Sequence, residues 1–234
     1  MRSKPSILTV GVLAGLFATL APPREASAQV IPPNAERDEN WGAVSTVSML
    51  IGVGTVTLMP RVYYNDPEAT VGWKARWHVS QLAPALTLTA ATLLVEGPLK
   101  DSFDKPRPGC TVEETEVGFA GSNCESYGMP SAHNFAAWSA AGAGTGIWLM
   151  DTFIHSDGEF HAGSFIGNVA VPITAGIFTS VGRSVEPGTS EAYVDGGQMA
   201  AGLISGVVTG FLTGIAYSLL QEPNCGYGNY VICW

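Results

Sequence analysis

Five stretches without Asp, Glu, Lys or Arg dominate the chain: Trp41–Met59, His78–Val95, Asn134–Met150, Ala162–Gly182 and Gln198–Leu220. Each is about as long as a membrane-spanning helix requires. They are rich in Ala, Gly, Ser and Thr, as closely packed membrane helices often are. The pattern predicts an all-α fold, a compact bundle of about five core helices. Two settings fit it. One is a bilayer; the other is water, with core helices that are apolar all round. Mean hydropathy is only +0.21, low for a protein with several spans.

Ahead of the first stretch, Arg2 and Lys4 precede an apolar run from Ile7 to Leu20, followed by Ala26-Ser27-Ala28. That order reads as a secretory signal peptide over 1–28, with an uncleaved anchor as the alternative. A polar segment, 29–40, leads into a helical domain over 41–220, and a tail covers 221–234. The connection Pro60–Trp77 carries Arg61, Lys74 and Arg76, which suits the inner side of a membrane.

Four cysteines fit an oxidising compartment. Local pairs, Cys110 with Cys124 and Cys225 with Cys233, are the simplest of three connectivities. The first would stiffen the loop containing Arg107 and contribute about 3 kcal/mol. No spacing of cysteine and histidine suits a metal, and neither metal nor cofactor is expected. Five crossings starting outside would put Cys225 and Cys233 in a reducing cytoplasm. The tail thus favours a soluble periplasmic protein, whereas the charge-free segments and the basic connection favour an inner-membrane protein whose site faces the periplasm. The membrane setting is preferred.

Charge is sparse and acidic: 13% of residues are charged and the net charge is −9. Nucleic-acid binding needs clustered basic surface, so that class is excluded. Eight Lys or Arg residues follow Gln29, and Lys100, Lys105, Arg107 and Arg183 fall in two loops expected at one end of the bundle. Asp101 and Asp104 lie beside the first group and partly offset it.

Three short motifs in these loops carry the candidate chemistry. They are Lys100-x6-Arg107-Pro108, Pro130-Ser131-Ala132-His133 and Gly182-Arg183-Ser184. Guanidinium groups bind tetrahedral oxyanions bidentately, and a helix start offers unpaired amides. Ser131 stands where a helix N-cap belongs.

The pattern resembles the type 2 phosphatidic acid phosphatase / vanadium haloperoxidase superfamily, whose signature is K-x6-R-P, P-S-G-H and S-R-x5-H-x3-D. The resemblance covers roughly 41–220 and implies that Lys100, Arg107, Ser131, Ala132 and Arg183 hold phosphoryl oxygens. It implies that His133 is the general acid protonating the leaving oxygen. The first motif matches in full, and Ala132 replaces a glycine in the second.

The third motif is broken. The nucleophilic histidine belongs six residues after Arg183, where Thr189 stands, and the aspartate position falls on Tyr193. Anchoring on Asp195 instead puts Glu191 in the histidine's place, so Glu191 and Asp195 are the speculative substitutes. His78, His155 and His161 belong to connections at the opposite end. The resemblance implies an envelope protein, ancestrally hydrolysing phosphate monoesters or lipid phosphates through a phosphohistidine, with hydrolysis now weak or lost. The alternatives are a non-catalytic binder of phosphate or phospholipid headgroups and a structural membrane protein. Haloperoxidase chemistry is disfavoured, because the missing histidine is also that branch's vanadium ligand.

Overall fold

The computed structural model describes residues 39–59, 61–63, 74–76, 82–103, 105, 127–155, 158–185 and 196–220. Five helices form the bundle: α1 (Glu39–Leu58), α2 (Leu82–Phe103), α3 (Ala132–Met150), α4 (Ala162–Ser184) and α5 (Gly196–Leu220). They coincide with the five charge-free stretches, and the fold is all-α. The proposed signal segment and all four cysteines lie outside the described residues.

The connection after α1 adds one feature that the charge pattern did not indicate. Arg61–Tyr63 (β1) and Lys74–Arg76 (β2) pair as a short antiparallel ribbon, with Val62 opposite Ala75. The ribbon touches the turn that continues α3.

Prolines shape two of the helices. Pro98 lies in a wide turn, Val95–Leu99, within α2. Pro172 follows a similar turn, Ile166–Ala170, within α4. A proline supplies no N–H and crowds the carbonyl four residues back, so a local π-type turn lets the helix continue. The third such turn, Asp151–His155, prolongs α3.

α3 is the axis. Every residue from Asn134 to Trp148 is buried, against α5 most extensively and against α1, α2 and α4 as well. Only small residues permit so many neighbours around one helix. The seam with α5 shows how close the approach is. Gly202, Gly206, Gly210 and Gly214 form one stripe on α5, and β-carbons at Gly206 and Gly210 would collide with the backbone of Phe135 and Ser139.

The outer surface inverts the pattern of a water-soluble bundle. α5 buries glycines and Ser218 yet exposes Ile204, Val208, Leu212 and Leu219. α1 exposes Val47, Leu50 and Ile51; α2 exposes Leu86, Leu93 and Leu94; α4 exposes Ile177 and Phe178. Soluble proteins rarely present so much contiguous apolar surface, whereas lipid-facing helices do so while packing through small residues. α1, α2, α4 and α5 are each long and apolar enough to cross a membrane. These four fit a multi-pass membrane protein, with α3 enclosed among them.

Interhelical hydroxyls add to the packing. Ser45 Oγ donates to the Thr179 carbonyl at 3.2 Å, joining α1 to α4. Thr87 Oγ1 and Tyr217 Oη lie 2.7 Å apart, joining the start of α2 to the end of α5. Consecutive helices run antiparallel, so the end of α2, the start of α3, the end of α4 and the start of α5 share one end of the bundle.

Candidate functional site

At that shared end the chain buries two cations. Lys100, in the last turn of α2, is 5% exposed, and Arg183, in the last turn of α4, is 8% exposed. Burying a charged side chain is costly unless hydrogen bonds or a counter-charge compensate. Lys100 Nζ meets Glu96 Oε2 at 2.7 Å, one turn earlier on the same helix. Among the described residues the acid paired with Lys100 is Glu96, while the Asp101 side chain is exposed.

The wide turn holding Glu96 also carries Val95, which packs with Ala132 and Phe135 of α3. This contact sets the end of α2 beside the start of α3. The backbone completes the junction: Gly128 N–H donates to the Lys105 carbonyl at 2.9 Å. On the other side, Ser131 N–H donates to the Gln198 carbonyl of α5 at 3.1 Å. Gly128 itself faces the Gln198 amide, where a β-carbon would sit 2.5–2.9 Å from the side-chain atoms.

Ser131 occupies the N-cap position of α3 with an extended backbone, yet its hydroxyl makes no capping hydrogen bond. It is buried, and the first amides of α3 lie next to it. Unpaired amides and the helix dipole favour an anion at such a mouth. Ala132 is buried against α2, while His133 is half-buried.

Arg183 is placed by its neighbour. Gly182 lies against the Trp41 carbonyl and Ser45 of α1, where a β-carbon would fall 2.9 Å from either. This close seam draws the last turn of α4 inward. Lower on the same α1–α4 seam is an apolar groove of 260 Å³, lined by Ser48, Ile51, Thr174 and Phe178 among others.

Lys100, Ser131, Ala132, His133 and Arg183 thus occupy one end of the bundle. Arg107, Glu191 and Asp195 lie outside the described residues, as do Asp104 and His78. His155 falls in the turn after α3, and His161 precedes α4. Both belong to the opposite end, roughly 30 Å away at 1.5 Å per residue along α3.

Residues 81–186 match the family model described as the PAP2 superfamily. These residues form a PAP2-superfamily region. The matched region takes in the end of α2, the start of α3 and the end of α4, and stops three residues after Arg183. No curated protein and no solved structure matches the chain.

Besides the motif residues, this end of the bundle holds buried polar groups, and the sequence pattern does not single out Asn134. Asn134 is 0% exposed and Gln198 1%. Trp138 Nε1 donates to Ser180 Oγ at 3.0 Å, and Ser180 Oγ donates to Asn134 Oδ1 at 3.0 Å. Asn134 and Gln198 each open a charge-free segment, and Asn134 does so directly beside a motif. A polar residue at that place in a membrane-type helix is itself a signal of function. Chemically, the assembly is a set of hydrogen-bond donors around a helix mouth, suited to holding the oxygens of a tetrahedral anion.

Proposed function

We propose that this PAP2-superfamily protein is a cell-envelope membrane protein that binds phosphate-bearing molecules, lipid phosphates foremost, at the end of the bundle carrying Lys100, Ser131, His133 and Arg183. Arg107, Ala132 and the first amides of α3 belong to the same pocket in this reading. The observation that carries it is the burial of Lys100 and Arg183 beside the start of α3. Two cations at one end of an otherwise charge-poor bundle make sense as ligands of an anion. The apolar outer surface supports a substrate or ligand that arrives from a bilayer.

Hydrolysis is weak or lost in this reading, because Thr189 stands where the superfamily's nucleophilic histidine belongs. Electrostatic stabilisation of a phosphoryl group does not require that nucleophile. The pocket therefore retains recognition without the phosphohistidine step. We place this end on the outer face of the inner membrane, consistent with the secretory leader and the basic connection at the other end.

The test pairs binding with turnover. Orthovanadate binding is measured on full-length protein in detergent, and phosphate release is measured from p-nitrophenyl phosphate and from phosphatidic acid. Binding with no release above an Arg183→Ala control is the expected result. Release abolished by Glu191→Gln or Asp195→Asn would instead identify a carboxylate nucleophile or base. Neither binding nor release would leave a structural membrane protein.

A further inference from the structure

The Trp138–Ser180–Asn134 chain fixes the orientation of one buried amide. An indole N–H only donates, so Ser180 Oγ accepts from Trp138 and has a single hydrogen left to give. In the structure that hydrogen goes to Asn134, which presents Oδ1 to Ser180. Its Nδ2, carrying two N–H donors, is turned away from Ser180. Nδ2 is buried and has no hydrogen-bond partner among the described residues, while Asn134 is 0% exposed.

Position decides where this amide acts. Asn134 is the third residue of α3 after the Ser131 cap. Helical side chains tilt toward the N-terminus and cover the preceding turn, so this amide lies over the mouth of α3. Ser180 lies three residues before Arg183, on the same face of α4. The amide therefore lies near the start of α3 and is linked through Ser180 to the stretch of α4 one turn before Arg183. Buried donors in native proteins are almost always satisfied, and one held in a fixed orientation beside an anion site is suited to an anionic acceptor.

We propose that Asn134 is a neutral ligand of the oxyanion pocket, donating from Nδ2 to an oxygen of a bound tetrahedral anion such as phosphate, with Ser180 and Trp138 holding the amide in register. The assignment rests on the pocket reading above and adds a binding residue to it. Lys100 and Arg183 supply charge, which any anion satisfies. A rigid amide donor supplies direction, which favours an anion with an oxygen at that point.

Two variants of the full-length protein in detergent test it, with orthovanadate as the probe, calorimetry as the readout and helical circular dichroism as the check of folding. Asn134→Asp keeps an acceptor for Ser180 and nearly the same shape but removes the donor. Asn134→Leu removes both. Losing a hydrogen bond to a charged group should weaken vanadate binding by about ten- to a hundredfold. The aspartate variant should lose at least as much as the leucine variant, because its carboxyl faces an anion. A purely structural asparagine predicts the reverse, with aspartate near wild type. Should the leucine variant fail to fold, the aspartate variant alone decides.

Arg183→Ala separates this assignment from the pocket itself. Absent vanadate binding, or binding that Arg183→Ala leaves untouched, overturns the pocket reading and the Asn134 assignment together. Binding that depends on Arg183 yet survives Asn134→Asp overturns the assignment alone, and Nδ2 then serves only internal packing.

Discussion

Among the described residues, the buried ionisable side chains at one end of the bundle are Lys100 and Arg183; at the other, Asp151 is 2% exposed. The surroundings differ as much as the charges. Asp151 Oδ1 accepts from Ser218 Oγ of α5 at 3.4 Å. Beside it, Trp148 meets Phe153, Phe160 and Phe165 edge-on, with ring centroids 6.4, 6.2 and 5.2 Å apart. Edge-to-face aromatic pairs fill space and stabilise by about 0.5–1.5 kcal/mol beyond area burial. The end with the cations instead gathers small residues, a helix mouth and donors: Lys100, Arg183, Asn134 Nδ2 and the amides of α3. One end closes the bundle; the other, in the proposed reading, receives a group of opposite charge. Perturbing each should therefore move different observables.

The largest effect should come from the seam that both ends share. Gly210 of α5 lies against the Ser139 backbone of α3, midway along the stripe. Gly210→Leu forces the two helices apart, and overpacking of this kind costs about 3 kcal/mol or more where backbone must shift. Thermal unfolding in detergent should show a large loss of stability, with vanadate binding lost in parallel. A variant as stable as wild type would mean that α3 and α5 pack less closely than the stripe implies.

Next come the two ends themselves. Arg183→Ala should weaken vanadate binding by about 1.5–3 kcal/mol, the cost of losing a charged hydrogen-bonding group. Its effect should appear chiefly in affinity rather than in melting temperature. Asp151→Ala should do the opposite. Leaving buried polar partners unsatisfied costs about 1–3 kcal/mol, so stability falls while vanadate affinity holds. If both substitutions shift affinity equally, the contrast between the ends is wrong.

The helices were legible because exclusion of charge over twenty or so residues is a strong, one-dimensional signal. All five charge-free stretches became helices, with boundaries shifted by a few residues. The extension of α2 through Lys100 was not legible from that signal. Val95 ends the charge-free run, but the helix continues through Glu96 and Lys100, which pair one turn apart. The central place of α3 was equally hidden, although its run of Ala and Gly is in plain view. Glycines four apart from Gly202 to Gly214 also stand in the sequence, and they mark the close seam once read at helical spacing. For the site, the motif residues announced themselves by charge in a charge-poor chain. Asn134 and Ser180 did not, because neutral polar residues acquire meaning only when the fold brings their helices together. The ribbon at Arg61–Tyr63 has too few residues for strand periodicity to register.

The smallest expected effect tests the field at the cationic end. Glu96 is half-exposed and holds Lys100 through a pair four residues apart on one helix. Exposed pairs of this kind contribute about 0.2–1 kcal/mol. For an anion at the site, Glu96 acts in two ways: its charge offsets Lys100, and its carboxylate fixes the ammonium in place. Glu96→Gln keeps a hydrogen-bond acceptor and removes the charge. Vanadate affinity should therefore rise, by no more than about fivefold, which corresponds to the upper end of that range. The gain should shrink at high ionic strength, since Glu96 faces solvent and its field is screened there. Calorimetry at low and high salt measures both. A fall in affinity, persisting at high salt, would show that Glu96 matters for placing Lys100 rather than for tempering its charge.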